Sequence, residues 1–369
     1  MALDTRRFWL KLTAAIAPVV LSVAIPVAVL WRTGEFETAD QVVARILGGE
    51  RELRYNQMCT NQWRRFKLLI ASSMSPDVLI LGGSSSLQMR GEYFLVPFYN
   101  AAGSIGSIWH ATEFLRRLGP AHLPRVVVVG LHSYLFLESW KPNSHLFGGD
   151  FDVPVRKADI VWSCARPVAL HLLDGRVSLR QVVDFPAHRV GLMVLFGSLG
   201  FRADGSYDRG KILPIPQRFE PQLTEVRWGS GYFPFGGEIA PKRVAELRQL
   251  LDYARAAGIH VVAYFPPVAS AVRDAMSQSG GRFDYAFHAF DRLSPVFAEY
   301  GFTLLDATDL RTIGATDEEM LDGSHPSETA DLRLLLALAA RDSSLAGFVD
   351  ADRLWALLAN ASPLSVLGD

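Results

Sequence analysis

Cysteine is nearly absent from this chain: Cys59 and Cys164 are the only two in 369 residues. That excludes a disulfide-built scaffold and a cysteine-held metal cluster, whose ligands recur at short, regular spacings. The nine histidines form no His-x-x-x-His or mixed Cys/His pattern, so no metal site is expected, and no cofactor. Excess positive charge is also missing. Lys and Arg number 37 against 38 Asp and Glu, with no long basic run, which excludes a surface built to wrap nucleic acid. Neither Gly-x-x-x-x-Gly-Lys-Ser/Thr nor Gly-x-Gly-x-x-Gly occurs; Gly103 to Gly106 supplies half of the second, so a phosphate cradle is set aside. Internal repeats and low-complexity tracts are lacking too, which argues against a solenoid or a disordered chain.

What is present is a composition with 49% hydrophobic and 20% charged residues, enough for one large core and a smaller appendage. Residues 12–31 carry no charge; as a helix they span about 30 Å, one hydrocarbon core. Pro18 and Pro26 kink this segment, and a signal peptide is the alternative, but Ala-Val-Leu-Trp-Arg offers no small-x-small cleavage site. Arg6, Arg7 and Lys11 precede it, whereas Arg32 is followed by Glu35, Glu37 and Asp40. The positive-inside rule then keeps residues 1–11 in the cytoplasm and makes 12–31 a single-pass anchor in the inner membrane, with the rest in the periplasm. There a disulfide between Cys59 and Cys164 is permitted but not deducible, and two small core residues are the other reading. Residues 37–74, within a linker of 32–75, read as helical. Their Gln62-Trp-Arg-Arg-Phe-Lys67 stretch is either a solvated face or a lipid headgroup contact.

From Asp77 the pattern becomes short apolar runs separated by helical windows: 78–81, 126–130, 259–265 and 302–305, with a shorter strand at Phe98-Tyr99. Such β-branched runs fit strands buried on both faces, and 108–118 and 241–257 fit crossover helices. The predicted fold class is α/β, with a parallel sheet covered on both faces and a ligand site beyond the carboxyl ends of its strands. Residues 76–345 form that domain and 346–369 a C-terminal helix. Within that domain, 137–235 interrupts the alternation with Pro, Gly and aromatic residues, which makes it a cap over the site or a partner-binding insertion.

Three polar clusters fall at strand ends: Gly82-Gly83-Ser84, Asn100 to Gly106, and Asp322-Gly-Ser-His325. A serine at the tip of a central strand presents its hydroxyl to substrate and, at a helix N-terminus, its amide to a developing oxyanion. It needs a base, oriented by a third group. Asp322 can hold one imidazole nitrogen of His325 while the other faces Ser84, and Pro326-Ser-Glu-Thr starts a helix that fixes the turn.

Together these residues resemble the SGNH/GDSL hydrolase superfamily. Val78 to Ser85 is similar to its first block, with Ser84 as nucleophile; Tyr99-Asn100 to Gly106 to its second; Asp322-x-x-His325 to its last. The resemblance implies a three-layer α/β/α, flavodoxin-like fold. It also implies an oxyanion hole from the amides of Ser84, Gly106 and Gly103. The third block differs: Gly130-Leu-His132-Ser133 replaces Gly-x-Asn-Asp, so His132 either donates in place of the asparagine or is structural. The anchor, Gly258 to Pro267 and the insertion look most like the membrane-anchored proteins of envelope polysaccharide acylation, of the alginate O-acetyltransferase type. Those work beside a membrane-bound O-acyltransferase. The implied function is an esterase or O-acyltransferase acting on acyl esters, acetyl above all, of a polysaccharide. A non-catalytic glycan- or partner-binding protein and a lipase or thioesterase are the rivals. Ser85 is the fallback nucleophile and Ser86 a helix cap. Glu328 and Asp331 read as helix-start carboxylates. His110, His122, His145, His171, His188, His260 and His288 read as structural.

Overall fold

Strands without polar alternation can pair only where both faces of the sheet are covered. The computed structural model describes residues 2–58, 62–141, 151, 156–197, 200–209 and 218–367. In it five strands form one sheet: β1 (Val78–Leu81), β2 (Phe98–Asn100), β3 (Val126–Gly130), β4 (His260–Phe265) and β5 (Thr303–Asp306). Their order is β2-β1-β3-β4-β5 and their pairings are parallel, so the α/β class with a parallel sheet is as expected. Chain direction across the sheet reverses between β1 and β3, which opens a crevice at their carboxyl ends. Leu81 pairs with Val129, so the loops that leave these two strands start side by side.

The crossover helices form where the apolar spacing places them. Ile108–Leu118 is capped by Ser107, whose hydroxyl accepts the His110 N–H. Pro241–Ala256 starts on a proline and buries Leu247, Leu250, Leu251 and Ala254. The serine loop differs from expectation. Ser84–Ser86 is one 3-10 turn, not the start of an α-helix. Ser86 is therefore no helix cap; its hydroxyl is buried in the space left by two glycines. A Cβ on Gly130 would lie 2.2 Å from the Ser86 Oγ and 3.1 Å from the Tyr264 hydroxyl, and one on Gly82 2.6 Å from the same Oγ.

By contact the chain divides into two units. One comprises Gln62–Phe151, Asp204–Tyr207 and Lys211–Asp369, and holds the five-stranded sheet. The other comprises Met1–Asn61, Asp152–Ala203 and Asp208–Gly210, so the 137–235 segment contributes to both. In this second unit, Val29 and Leu30 at the end of the N-terminal helix (Ala2–Arg32) pack on Ile160, Cys164 and Val168 of the helix Lys157–Leu173, with Val177, Val182 and Leu192. Arg54–Tyr55 pairs with Arg189–Val190 beside them. Cys164 is buried and is not a free thiol. Cys59 and His145 lie outside the described residues, and with Cys59 the permitted Cys59–Cys164 pairing.

Among the described residues no single helix is long and apolar enough to cross a membrane. Two arms of the N-terminal helix, Thr5–Pro18 and Val20–Arg32, pass together by length and composition but are bent by 44° at the proline. Nor is 37–74 one helix: Ala39–Leu47 ends at Gly48-Gly49, where Gly49 takes φ +102°, and Trp63–Met74 begins a second.

Replacing Gly130 with Ala is expected to lower stability by about 1 to 3 kcal/mol through overpacking against Ser86. In chemical denaturation, Ser86→Ala introduced into that variant should restore part of the loss; strict additivity of the two changes would separate Gly130 from Ser86.

Candidate active site

Asn100, at the end of β2, explains why the serine loop keeps its shape. Its buried amide donates to the carbonyls of Ser86 (2.9 Å) and Met89 (3.0 Å), and its Oδ1 accepts the Ala102 N–H at 2.9 Å. One side chain so holds the loop at two points. Lys67, fully buried, donates through Nζ to the Asn100 carbonyl at 2.7 Å and to that of Gly205. Burial drives its pKa well below the ordinary lysine value.

The base comes from a turn that Asp322 organises. Its Oδ1 accepts the backbone N–H groups of Ser324 and His325, both at 2.9 Å, and its Oδ2 lies 2.7 Å from the His325 Nδ1. One carboxylate thus folds the turn and fixes the imidazole tautomer. The other nitrogen, Nε2, lies 2.7 Å from the Ser84 Oγ, across 241 residues of sequence. Ser327 then caps the helix Glu328–Ala339. The structure therefore brings Ser84, His325 and Asp322 into one line of hydrogen bonds with the geometry of a nucleophile, its base and an orienting acid.

Two buried ties, which the sequence reading missed, join the loops. Arg90, just after the serine turn, donates to Glu328 at 2.9 Å and to Glu92 at 2.8 Å, and Asp331 accepts the Gln88 N–H at 3.2 Å. Glu328 and Asp331 stand in the first turn of their helix, as expected, and in addition bind the serine loop to the helix that follows His325. Arg90 within the mainly apolar stretch 87–94 was the available signal, since a buried guanidinium requires a carboxylate partner.

The expected glycine donors are placed otherwise. The Gly103 amide, at φ +83°, closes the turn onto the carbonyls of Gly82 (3.0 Å) and Gly83 (3.3 Å). The Gly106 amide donates to the His110 Nδ1 at 3.3 Å, which also receives the Ser107 hydroxyl at 3.1 Å. Neither faces Ser84, because local turn closure satisfies both. Burial lowers the His110 pKa to about 3, so its ring is a neutral acceptor.

His132 does reach the site. Its Nε2 lies 2.7 Å from the Ser85 Oγ, and its ring stacks on Tyr134 with centroids 4.8 Å apart. Burial first, and the nearby His325 second, bring its pKa to about 3, so it too stays neutral. Two Ser–His pairs therefore stand side by side, Ser84–His325 and Ser85–His132. They line a pocket of about 60 Å³ walled by Tyr134, Tyr232, Phe233, Met276, Tyr285 and Phe287, with Arg273 at its edge. Tyr232 and Phe233 come from the 137–235 segment; nothing in its composition singled them out.

Among the described residues the other histidines do not gather: His260 pairs with Asp342 at 2.8 Å, His122 with Ser75 at 2.7 Å, and His171 stacks on Phe196. Among the described residues no group of three or more His, Cys, Asp or Glu could hold a metal ion. Compared with protein-family models and with curated proteins, the chain matches none.

Glu328→Gln leaves the buried Arg90 with Glu92 alone, and should lower the unfolding free energy by about 3 kcal/mol in denaturant titrations. His110 gives a pH dependence of definite sign. Below pH about 6.5 the unfolded chain takes up a proton that the folded chain refuses until about pH 3, so stability falls as pH falls through that window. In His110→Gln the slope between pH 6 and pH 4 should be shallower by about 1 kcal/mol per pH unit, read from denaturation midpoints. An unchanged slope would place the proton uptake elsewhere.

Proposed function

We propose that this chain is a serine esterase or O-acyltransferase of the SGNH type, with a three-layer flavodoxin-like domain held by residues 12–31 at the inner membrane and facing the periplasm. The observation that carries the reading is the Ser84–His325–Asp322 line, with 2.7 Å at each contact, at the strand-order switch of a parallel sheet. In the proposed reaction Ser84 Oγ bonds to an ester carbonyl carbon while His325 Nε2 takes its proton. Collapse of the tetrahedral species breaks the bond to the leaving alcohol, which receives that proton, and leaves an acyl-serine. An incoming hydroxyl repeats the sequence: a sugar makes the protein a transferase, water an esterase.

Pocket size supports a short acyl group. About 60 Å³ is room for a few waters or an acetyl group, and its wall is largely aromatic. That size suits a short acyl group better than a long chain, so we favour acetyl esters of a polysaccharide, with a membrane-bound O-acyltransferase as the donor-side partner. With Gly103 and Gly106 facing elsewhere, we assign oxyanion stabilisation to the Ser84 amide and to the Ser85 hydroxyl, which His132 holds. The same turned-away amides favour a second reading, a glycan- or partner-binding protein that keeps the fold without the chemistry.

A serine-reactive fluorophosphonate separates the two. Labelling of the full chain is expected, with none in Ser84→Ala; Ser85→Ala should still label, with kcat for a small acetyl ester lower by about a hundredfold. No labelling of the wild type would favour the binding protein, and equal labelling of the wild type and Ser84→Ala would overturn Ser84 in favour of another serine, Ser85 first.

A further inference from the structure

The helix Lys157–Leu173 is apolar on two opposite sides. Ile160, Cys164 and Val168 are buried against the end of the N-terminal helix. About half a turn away, Trp162 (89% exposed), Leu170 and Leu173 (83%) face outward, joined by Arg166 on the same stripe. This second stripe is not in the core, and its Trp and Leu side chains interleaved with Asp159 and Arg166 give it the mixed make-up of a face that lies at a membrane surface. The next short helix, Leu179–Val183, adds exposed Leu179 and Val183.

Their position along the N-terminal helix sets what covers them. The shared core is built on Val29 and Leu30, and the Arg32 guanidinium donates to the Val183 carbonyl at 2.9 Å. Both helices are thus tied to the last turn of residues 12–31, beside exposed Trp31. If 12–31 spans the bilayer, that turn lies where hydrocarbon meets headgroups, the level at which tryptophan is enriched. Arg166 and Arg176 accompany the apolar residues, Arg180 is paired with Asp184 at 3.4 Å, and exposed Asp159 and Asp174 offset the rest, so the indole and leucines beside the anchor, not net charge, commit this face to the bilayer surface.

We propose that the outward face of Lys157–Leu173, with Leu179 and Val183, is an interfacial foot that lies in the bilayer surface beside the anchor. The proposal rests on reading 12–31 as the span. The contact broadens the anchor from one bent helix to a small platform, and fixes the rotation of this unit about the membrane normal.

The test uses the full chain in vesicles of phosphatidylcholine with about one-third phosphatidylglycerol, with and without bromine on the upper acyl carbons. The emission of Trp162 is taken as the difference between wild type and Trp162→Phe, and that of Trp9 from Trp9→Phe. Brominated lipid should quench the Trp162 component about twofold or more, as expected of an indole at the headgroup boundary. An unquenched Trp162 beside a quenched Trp9 would overturn the foot and leave the span standing; such a stripe would then belong to a protein partner. Failure to quench either, with the chain released by alkaline carbonate, would overturn the span reading and the foot with it. Leu173→Glu gives a second readout: weaker quenching of Trp162 with unchanged quenching of Trp9 is the supporting result.

Discussion

Everything in the candidate site depends on holding two loops together that lie 241 residues apart in the chain. A single serine–imidazole hydrogen bond contributes about 1 kcal/mol net and cannot do this alone. The buried ties do it. Arg90 with Glu328, and the Gln88 amide with Asp331, join the segment after the serine turn to the first turn of the helix after His325. Such a pair is weak evidence for overall stability, since desolvation offsets much of the attraction. It is strong evidence for specificity of arrangement, because a buried guanidinium leaves few alternative positions for its partner. The relay is built on the outer end of that tie.

The same economy governs the serine turn itself. Gly82 and Gly130 end adjacent strands, and their missing side chains make room for the Ser86 hydroxyl, which lets the chain turn sharply enough to present Ser84 and Ser85 at the crevice. Asn100 then fastens the turn from the neighbouring strand through two carbonyls. The segment from Asn100 to Gly106 is in this way a brace for the serine turn, with its glycine amides taken up in closing that brace.

These relations mark how far the sequence could be read. The sheet, its parallel sense and the helices at 108–118 and 241–256 were legible because burial on both faces and helical spacing leave periodic traces in one dimension. Ser84, Asp322 and His325 were legible as types at strand ends. The direction of a backbone N–H was not: the Gly103 and Gly106 amides depend on a turn closing at φ +83° and on where His110 falls, which composition does not encode. Nor was the division of 137–235 between two units, since its apolar residues carry no mark of which surface they cover. Arg90 was the exception that could have been read, a charge between apolar residues such as Met89, Tyr93 and Phe94 with only Glu92 as a local partner.

The electrostatics of the paired histidines bear on what the proposed chemistry needs. In acyl transfer His325 must become positively charged for an instant, balanced by Asp322 at 2.7 Å. A second imidazolium nearby would oppose that step. His132 stands close enough for the two rings to feel one another, yet burial holds its pKa at about 3, so it is neutral wherever His325 is a working base. A neutral ring can still orient the Ser85 hydroxyl, 2.7 Å away, as a dipole directed into the pocket. Burial of His132 thus supplies an uncharged support beside a group that must charge, which an asparagine in that position would also do and a lysine would not. A histidine at position 132 is, on this account, compatible with the proposed reaction because burial keeps off the proton that would otherwise make it harmful.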